Sequence, residues 1–237
     1  DHGDQPMYNE DDSLVLVFNG EIYNYKELVE ELTAKGHKFR NRSDSECLLH
    51  AYEEYGKEMV HHLRGMFAFA IWDEKEETLF AARDFFGIKP FYYFKGENGA
   101  FVFASEIKCL LEHPECPKKV NEKALDYYLS FQYSVLEETL FKGIFKLMPG
   151  CSLTWKNGEI QIECYQKKEL QPSARTGGKA KLQELKDVLE DSVAAHLNSD
   201  VEVGVLLSAG VDSNYIMSRS RVRKSFSVGF EEGDGSY

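Results

Sequence analysis

Four apolar runs, MFAFAIWD, TLFAARD, FYYF and AFVFAS, follow one another between residues 66 and 105 with only charged or glycine-containing turns between them. Each is short, aromatic-rich and bounded by turn residues, which reads as a strand. Parallel neighbours need a crossover of about a dozen residues or more, usually a helix. These gaps are too short for that, so the region reads as antiparallel, and the flanking segments have to fit around it.

Upstream, LVLVFN (residues 14–19) reads as a buried strand that ends in a turn at Asn19-Gly20. Tyr25, Leu28, Val29 and Leu32 fall at helical spacing, and Gly36 supplies the stop. Ser43 with Glu46 three residues later is a capping box. It opens a second helix with Leu48, Leu49, Tyr52 and Tyr55 on its apolar face, and Gly56 closes that helix. Ser105 is placed to cap a helix over EIKCLLEH, and NEKALDYYLSFQY predicts another. SLTWKNGEIQIECY sets Asn157-Gly158 between two alternating runs, a type I′ hairpin signal. Residues 1–165 thus read as one antiparallel α+β domain.

Residues 166–178 are polar and carry a Pro and a Gly pair, the composition of a linker. Beyond them the pattern changes. An amphipathic helix carries Leu182, Leu185, Leu189, Val193 and Leu197. Then come strand VGVLL, loop SAGVDS, a short helix and strand SFSVGF. Strand, loop, helix, strand opens a parallel α/β sheet. Two parallel strands cannot bury both faces, so residues 179–237 are expected to be the start of a larger domain.

With 237 residues, 43% hydrophobic and 29% charged, the composition is that of an ordinary globular chain. No run approaches the ~20 apolar residues of a membrane span. The first residues, DHGDQPMYNEDD, lack the apolar core of a signal peptide and an initiator Met, so the true start is expected upstream. A net charge of −12, from 28 basic and 40 acidic residues, argues against nucleic-acid or anionic-membrane partners. Cys47, Cys109, Cys116, Cys151 and Cys164 are odd in number and irregularly spaced, and His61 and His62 sit near no cysteine pair. Reduced thiols in a cytoplasmic protein are therefore expected, rather than a disulfide framework or a zinc site.

Three segments could carry chemistry. In SAGVDS, small residues let a ligand approach the backbone, and the next helix's N-terminus makes an anion cradle. Ser208 and Ser213 add hydroxyls, and Asp212 is an oxygen ligand suited to Mg²⁺ alongside a polyphosphate. A plain strand-to-helix turn uses similar residues, and no Walker Gly-Lys-Ser/Thr follows. In FNGEIYNY, residues 18–25, the Asn19 side-chain amide and the Gly20 N–H can converge on an oxyanion. Glu21 and Asp44, the latter in SDSE, could hold an ammonium group; a β-turn and plain helix caps are the alternative reading of both segments. ARDFFGIKPFYY, residues 82–93, reads as structural, with Arg83 and Asp84 as a pair, and RSRVRK, residues 219–224, as a solvated helix end.

Together, FNGEIYNY, RSDSE, LRGMFAFAIWD, ARDFFGIKPFYY and FASEIK, followed by LLSAGVDS and SFSVGF, resemble glutamine-hydrolysing asparagine synthetases over essentially the whole chain. The resemblance implies an N-terminal-nucleophile glutaminase of αββα build with antiparallel sheets, followed by the start of a PP-loop ATP pyrophosphatase domain. It implies glutamine, aspartate and ATP as substrates, Mg²⁺ as cofactor, and a homodimer as an admissible assembly. Ammonia from glutamine would pass through a tunnel and displace AMP from a β-aspartyl-AMP intermediate, leaving asparagine, AMP and pyrophosphate.

By the same resemblance, Asn19 and Gly20 match the oxyanion pair, and Glu21 and Asp44 match glutamine-binding positions. Ser208, Ala209, Gly210, Val211, Asp212 and Ser213 match the pyrophosphate loop, and Leu207 and Val228 match backbone contacts to adenine. The family's nucleophile is an N-terminal cysteine with its own amine as base, accompanied by an upstream arginine. Both are expected ahead of this sequence, with further strands, and the aspartate site beyond Tyr237. The chain as it stands is accordingly expected not to hydrolyse glutamine. Ala209 departs from the family, which has glycine there. Related amide-forming synthetases with another acid acceptor, and a non-catalytic remnant, are the alternatives.

Overall fold

The computed structural model describes residues 4–41, 43–166, 178–199 and 201–229. It divides into two compact units, residues 1–169 and 170–237. Residues 167–177, which hold most of the expected linker, lie outside the described residues.

Unit 1 opens with β1 (Met7–Tyr8) and β2 (Leu14–Ile22), then α1 (Tyr25–Ala34) and α2 (Asp44–Tyr55). A short 3-10 turn, Gly56–His61, leads into β3 (Gly65–Asp73), β4 (Thr78–Arg83), β5 (Tyr92–Lys95) and β6 (Phe101–Ala104). The helices α3 (Ile107–Leu111) and α4 (Glu122–Phe131) precede β7 (Phe145–Lys146) and the hairpin β8 (Cys151–Lys156) and β9 (Glu159–Cys164). Six strands form one antiparallel sheet in the order β1-β2-β3-β4-β8-β9, and a second sheet runs β6-β5-β7, also antiparallel.

Period-two alternation makes the layers. From the first sheet, Leu14, Leu16, Ile22, Phe69, Ile71 and Phe80 pack against Leu28, Leu32, Leu48 and Leu49 of α1 and α2. The intervening Ala68, Ala70, Leu79, Ala81 and Leu153 face Phe91, Tyr93 and Leu147 of the second sheet. The small alanines leave room for those rings. On the far side of the second sheet, Phe94 and Ile144 bury against Leu110 of α3. The order is helices, sheet, sheet, helix, the αββα arrangement with antiparallel sheets.

Several local expectations hold and others need correcting. Ser43 caps α2 by accepting from the Glu46 amide at 3.1 Å. The Glu46 carboxylate reaches further back, to the amides of Arg40 at 2.6 Å and Asn41 at 2.9 Å. Asn157 and Gly158 have φ of 51° and 78°, as a type I′ turn requires. Asn19-Gly20 is not a turn: β2 continues through both residues to Ile22 because β3 pairs with its whole length. Ser105 does not cap α3, whose N-cap is Glu106 with no side-chain cap bond.

Cys151 and Cys164 are joined by a disulfide, against the expectation of five reduced thiols, while Cys47, Cys109 and Cys116 are free. The two partners stand symmetrically about Asn157-Gly158, so the hairpin register sets them opposite each other with Cα atoms 4.0 Å apart. The inference from reduced thiols to the cytoplasm loses its basis with them.

Unit 2 holds α5 (Lys179–Ala195), β10 (Gly204–Leu206), α6 (Val211–Ser220) and β11 (Lys224–Phe226), with β10 and β11 parallel. Arg219 pairs with Glu190 at 3.2 Å and ties α6 to α5. No described helix is long and apolar enough to cross a membrane.

Candidate functional site

The end of β2 is where the first set of singled-out residues meets. In an antiparallel ladder, alternate residues turn their N–H and C=O to the same side. The Phe18 amide takes the side-chain oxygen of Gln5 at 2.7 Å, and the Ile22 amide takes Asp44 Oδ2 at 3.3 Å. Gly20 lies between them, so its N–H points to that same edge, away from β3. Asp44, the first residue of α2, therefore sits on the edge that the Gly20 amide faces.

Glycine is required at residue 20. Its φ is 157°, and a Cβ there would collide with the Met66 carbonyl oxygen and lie 2.8 Å from Phe67 Cα. Gly65 is equally constrained, because a Cβ would strike the Glu21 carbonyl oxygen. Two glycines thus let the ends of β2 and β3 close together.

Asn19 and Glu21 share the opposite face from Gly20 by alternation. The Asn19 side-chain amide donates to Ser105 Oγ at 3.4 Å, just past the end of β6. A cleft of 430 Å³ opens beside it, lined by Gln5, Val17, Asn19, Phe91, Phe103 and Ser105 among others. Ser105 thus faces Asn19 rather than capping α3, and the FASEIK motif is the sequence signal that marks it. Glu21 is exposed at the strand end. Burial pushes the Asp44 carboxyl above the usual carboxylate range, although the Ile22 and Ser45 hydrogen bonds pull the other way.

Arg83 and Asp84 do not pair with each other as expected; each organises backbone instead. Asp84 is 1% exposed and accepts from the amides of Phe67, Phe86, Ile88 and Lys89 at 2.9–3.2 Å. Arg83 donates to the carbonyls of Lys89, Leu147 and Gly87 at 2.6–2.8 Å. Cys47 is fully buried, and burial, helped by Asp44 and Glu46, pushes its thiol up to about 12. It packs as a small hydrophobe and has no nucleophilic character.

In unit 2, the Ser208 and Ser213 hydroxyls meet at 2.9 Å, and the Gly210 amide donates to Ser208 Oγ at 3.2 Å. Asn214 braces the loop through the carbonyls of Ser208 and Gly210, at 3.2 and 2.8 Å. The sequence did not single it out. Ala209 is absent from the positive-φ residues, so its methyl group imposes no backbone strain. Asp212 is exposed in the first turn of α6. The Leu207 amide donates to Phe226 at 2.8 Å and Ser227 Oγ to the Leu207 carbonyl at 2.7 Å, so Leu207 and the Val228 segment lie at one end of the two strands.

The glutamine amidotransferase domain family matches residues 1–166, which is most of the chain. The chain belongs to that family. The asparagine synthase family matches residues 184–237 of this amidotransferase chain. Glutamine-hydrolysing asparagine synthetase 1 of Bacillus subtilis is 42% identical over 237 residues, 98% of this chain and 37% of that protein. Asparagine synthetase 3 of the same organism is 37% identical over 244 residues, 98% of this chain and 39% of that protein. The chain therefore spans under two fifths of the length of these two relatives. Among solved structures, a Bacillus subtilis glutamine phosphoribosylpyrophosphate amidotransferase aligns with a TM-score of 0.48 and 19% identity, over 91% of this chain and 46% of that one.

Proposed function

We propose that this amidotransferase domain binds glutamine at the end of β2 and releases ammonia from its side-chain amide. The observation that supports the reading is that Asn19, the outward-facing Gly20 amide and the Asp44 carboxylate all belong to the same end of that strand. The Asn19 amide and Gly20 N–H are donors for the oxygen that becomes negative when the amide carbon turns tetrahedral. Asp44, with Glu21 nearby, supplies the negative charge for the α-ammonium group. The nucleophile in this reading is an N-terminal cysteine of the complete protein.

For the second unit we propose ATP with Mg²⁺. The donor set fits a polyphosphate: two hydroxyls, the Gly210 amide and the start of ten-residue α6, with the exposed Asp212 carboxylate at hand for the cation. Mg²⁺ supplies charge neutralisation of the phosphates. In this reading the base docks beside Leu207 and Val228, at one end of β10 and β11. The 42% and 37% identical relatives are named glutamine-hydrolysing asparagine synthetases, which supports asparagine as product; in this reading aspartate is the acceptor, and AMP and pyrophosphate leave by way of a β-aspartyl-AMP intermediate.

The test uses the full-length protein and two readouts, ammonia from glutamine and pyrophosphate from ATP with aspartate. Asn19→Ala is expected to lower glutamine hydrolysis about 100-fold and to leave ammonia-dependent synthesis intact. Asp212→Asn is expected to do the reverse. Equal loss of both activities in both variants would overturn the assignment.

A further inference from the structure

We propose that His37, His50 and Glu53 bind one divalent transition-metal ion, of the Zn²⁺ class, which staples α2 to the segment following α1. The ligands are histidines and a carboxylate, so the cysteine spacing that argued against zinc has no bearing on them. The site is separate from the glutamine and ATP sites and does not rest on their assignment.

Three ligand atoms converge. His37 Nδ1 and His50 Nδ1 lie 3.2 Å apart. Glu53 Oε2 is 3.0 Å from His50 Nδ1 and 3.4 Å from His37 Nδ1. Nitrogen and oxygen ligands at about 2.0–2.1 Å from a tetrahedral Zn²⁺ stand about 3.3 Å from one another. The triangle found here has edges of that length, so an ion can seat above it with little side-chain movement, leaving its fourth position to water.

The surroundings are those of a built site. Metal-bound imidazoles characteristically hold a carboxylate or carbonyl on their other nitrogen. His37 Nε2 is 3.4 Å from Glu54 Oε2, and His50 Nε2 is 3.7 Å from Glu10 Oε1. Asn9 Nδ2 donates to Glu53 Oε1 at 2.8 Å and fixes that carboxylate. Each of the three ligands thus has its own outer partner. Lys35 sits 3.0 Å from the other oxygen of Glu54 and balances that charge. His50 is 1% exposed and packs on the Phe39 ring at 4.4 Å, whereas His37 and Glu53 are more open and give an ion its way in. Imidazole with carboxylate suits Zn²⁺ better than Mg²⁺ or Ca²⁺, which prefer all-oxygen shells.

The test strips the full-length protein with a chelator and titrates it, without nucleotide, with Zn²⁺ and with Co²⁺. One saturable equivalent is expected, with the visible Co²⁺ spectrum of a tetrahedral nitrogen–oxygen site and a Zn²⁺-dependent rise in Tm. His37→Gln and Glu53→Gln should abolish the Tm rise, and Asn9→Ala should weaken binding roughly tenfold. Cys109→Ser, which alters the exposed free thiol, should change nothing. No saturable uptake would mean a cluster held by protons alone. That result, or uptake that survives both His37→Gln and Glu53→Gln, would overturn the proposal.

Discussion

The buried carboxylate of Asp84 accepts the amide of Phe67 at 3.2 Å, on the residue of β3 that stands directly opposite Gly20. One side chain therefore holds both the turn after β4 and the strand that backs Gly20.

Asp84→Ala strips an acceptor from four amides at once. Each buried donor left unsatisfied costs about 1–3 kcal/mol, and relaxation will recover part of the sum. A loss on the order of 3 kcal/mol or more is expected, read as a lower urea midpoint with an unchanged slope. Asp84→Asn keeps one carbonyl oxygen and should lose less.

Gly20→Ala places a methyl group against the Met66 carbonyl and Phe67 Cα, both of them backbone that cannot swing away. Overpacking of this kind costs about 1–3 kcal/mol. If the proposed site is right, the variant should also lose glutamine turnover out of proportion to its stability, because β2 and β3 must part beside Asn19 and the Gly20 amide. Turnover equal to that of the parent chain would show that the edge tolerates the shift.

Asp44 has a folded-state pKa raised by burial. A raised acid binds its proton more tightly when folded, so its ionisation opposes folding near neutrality. The penalty is relieved as pH falls through the raised value toward that of an ordinary carboxylate. Asp44→Asn should therefore be more stable than the parent near neutral pH, with the advantage shrinking on the acid side, and should bind glutamine weakly. Unfolding measured at neutral and acid pH for both proteins checks the sign.

The Cys151–Cys164 bond predicts three titratable thiols in the denatured, unreduced chain and five after reduction. Reduction should cost at most about 3 kcal/mol, since the loop it closes is short and the hairpin already brings its ends together. Five thiols before reduction would show the pair to be open.

The longer strands, α1 and α2 are legible because their periodicity and their buried faces agree: Leu28, Val29 and Leu32 are spaced for a helix and are buried as one; the two-residue β1 and β7 are too short to show a pattern. Asn19-Gly20 misled because a local turn signal was overruled by pairing with β3, which no neighbouring residue announces. The cysteine pair was hidden by the same kind of register, although the hairpin that sets it was visible. Asn19 and Asp44 could be singled out by motif, but that they share a strand end depends on the Ile22 amide. His37 and His50 are thirteen residues apart and meet only after α1 has turned back onto α2.

The alternation along β2 gives the site a reading frame. A single residue inserted or deleted between Leu14 and Asn19 would turn the Gly20 amide inward to β3 and the Asn19 side chain toward the helices. Substitutions there can be graded, but length changes cannot, so the spacing from Leu14 to Ile22 should be fixed across functional variants.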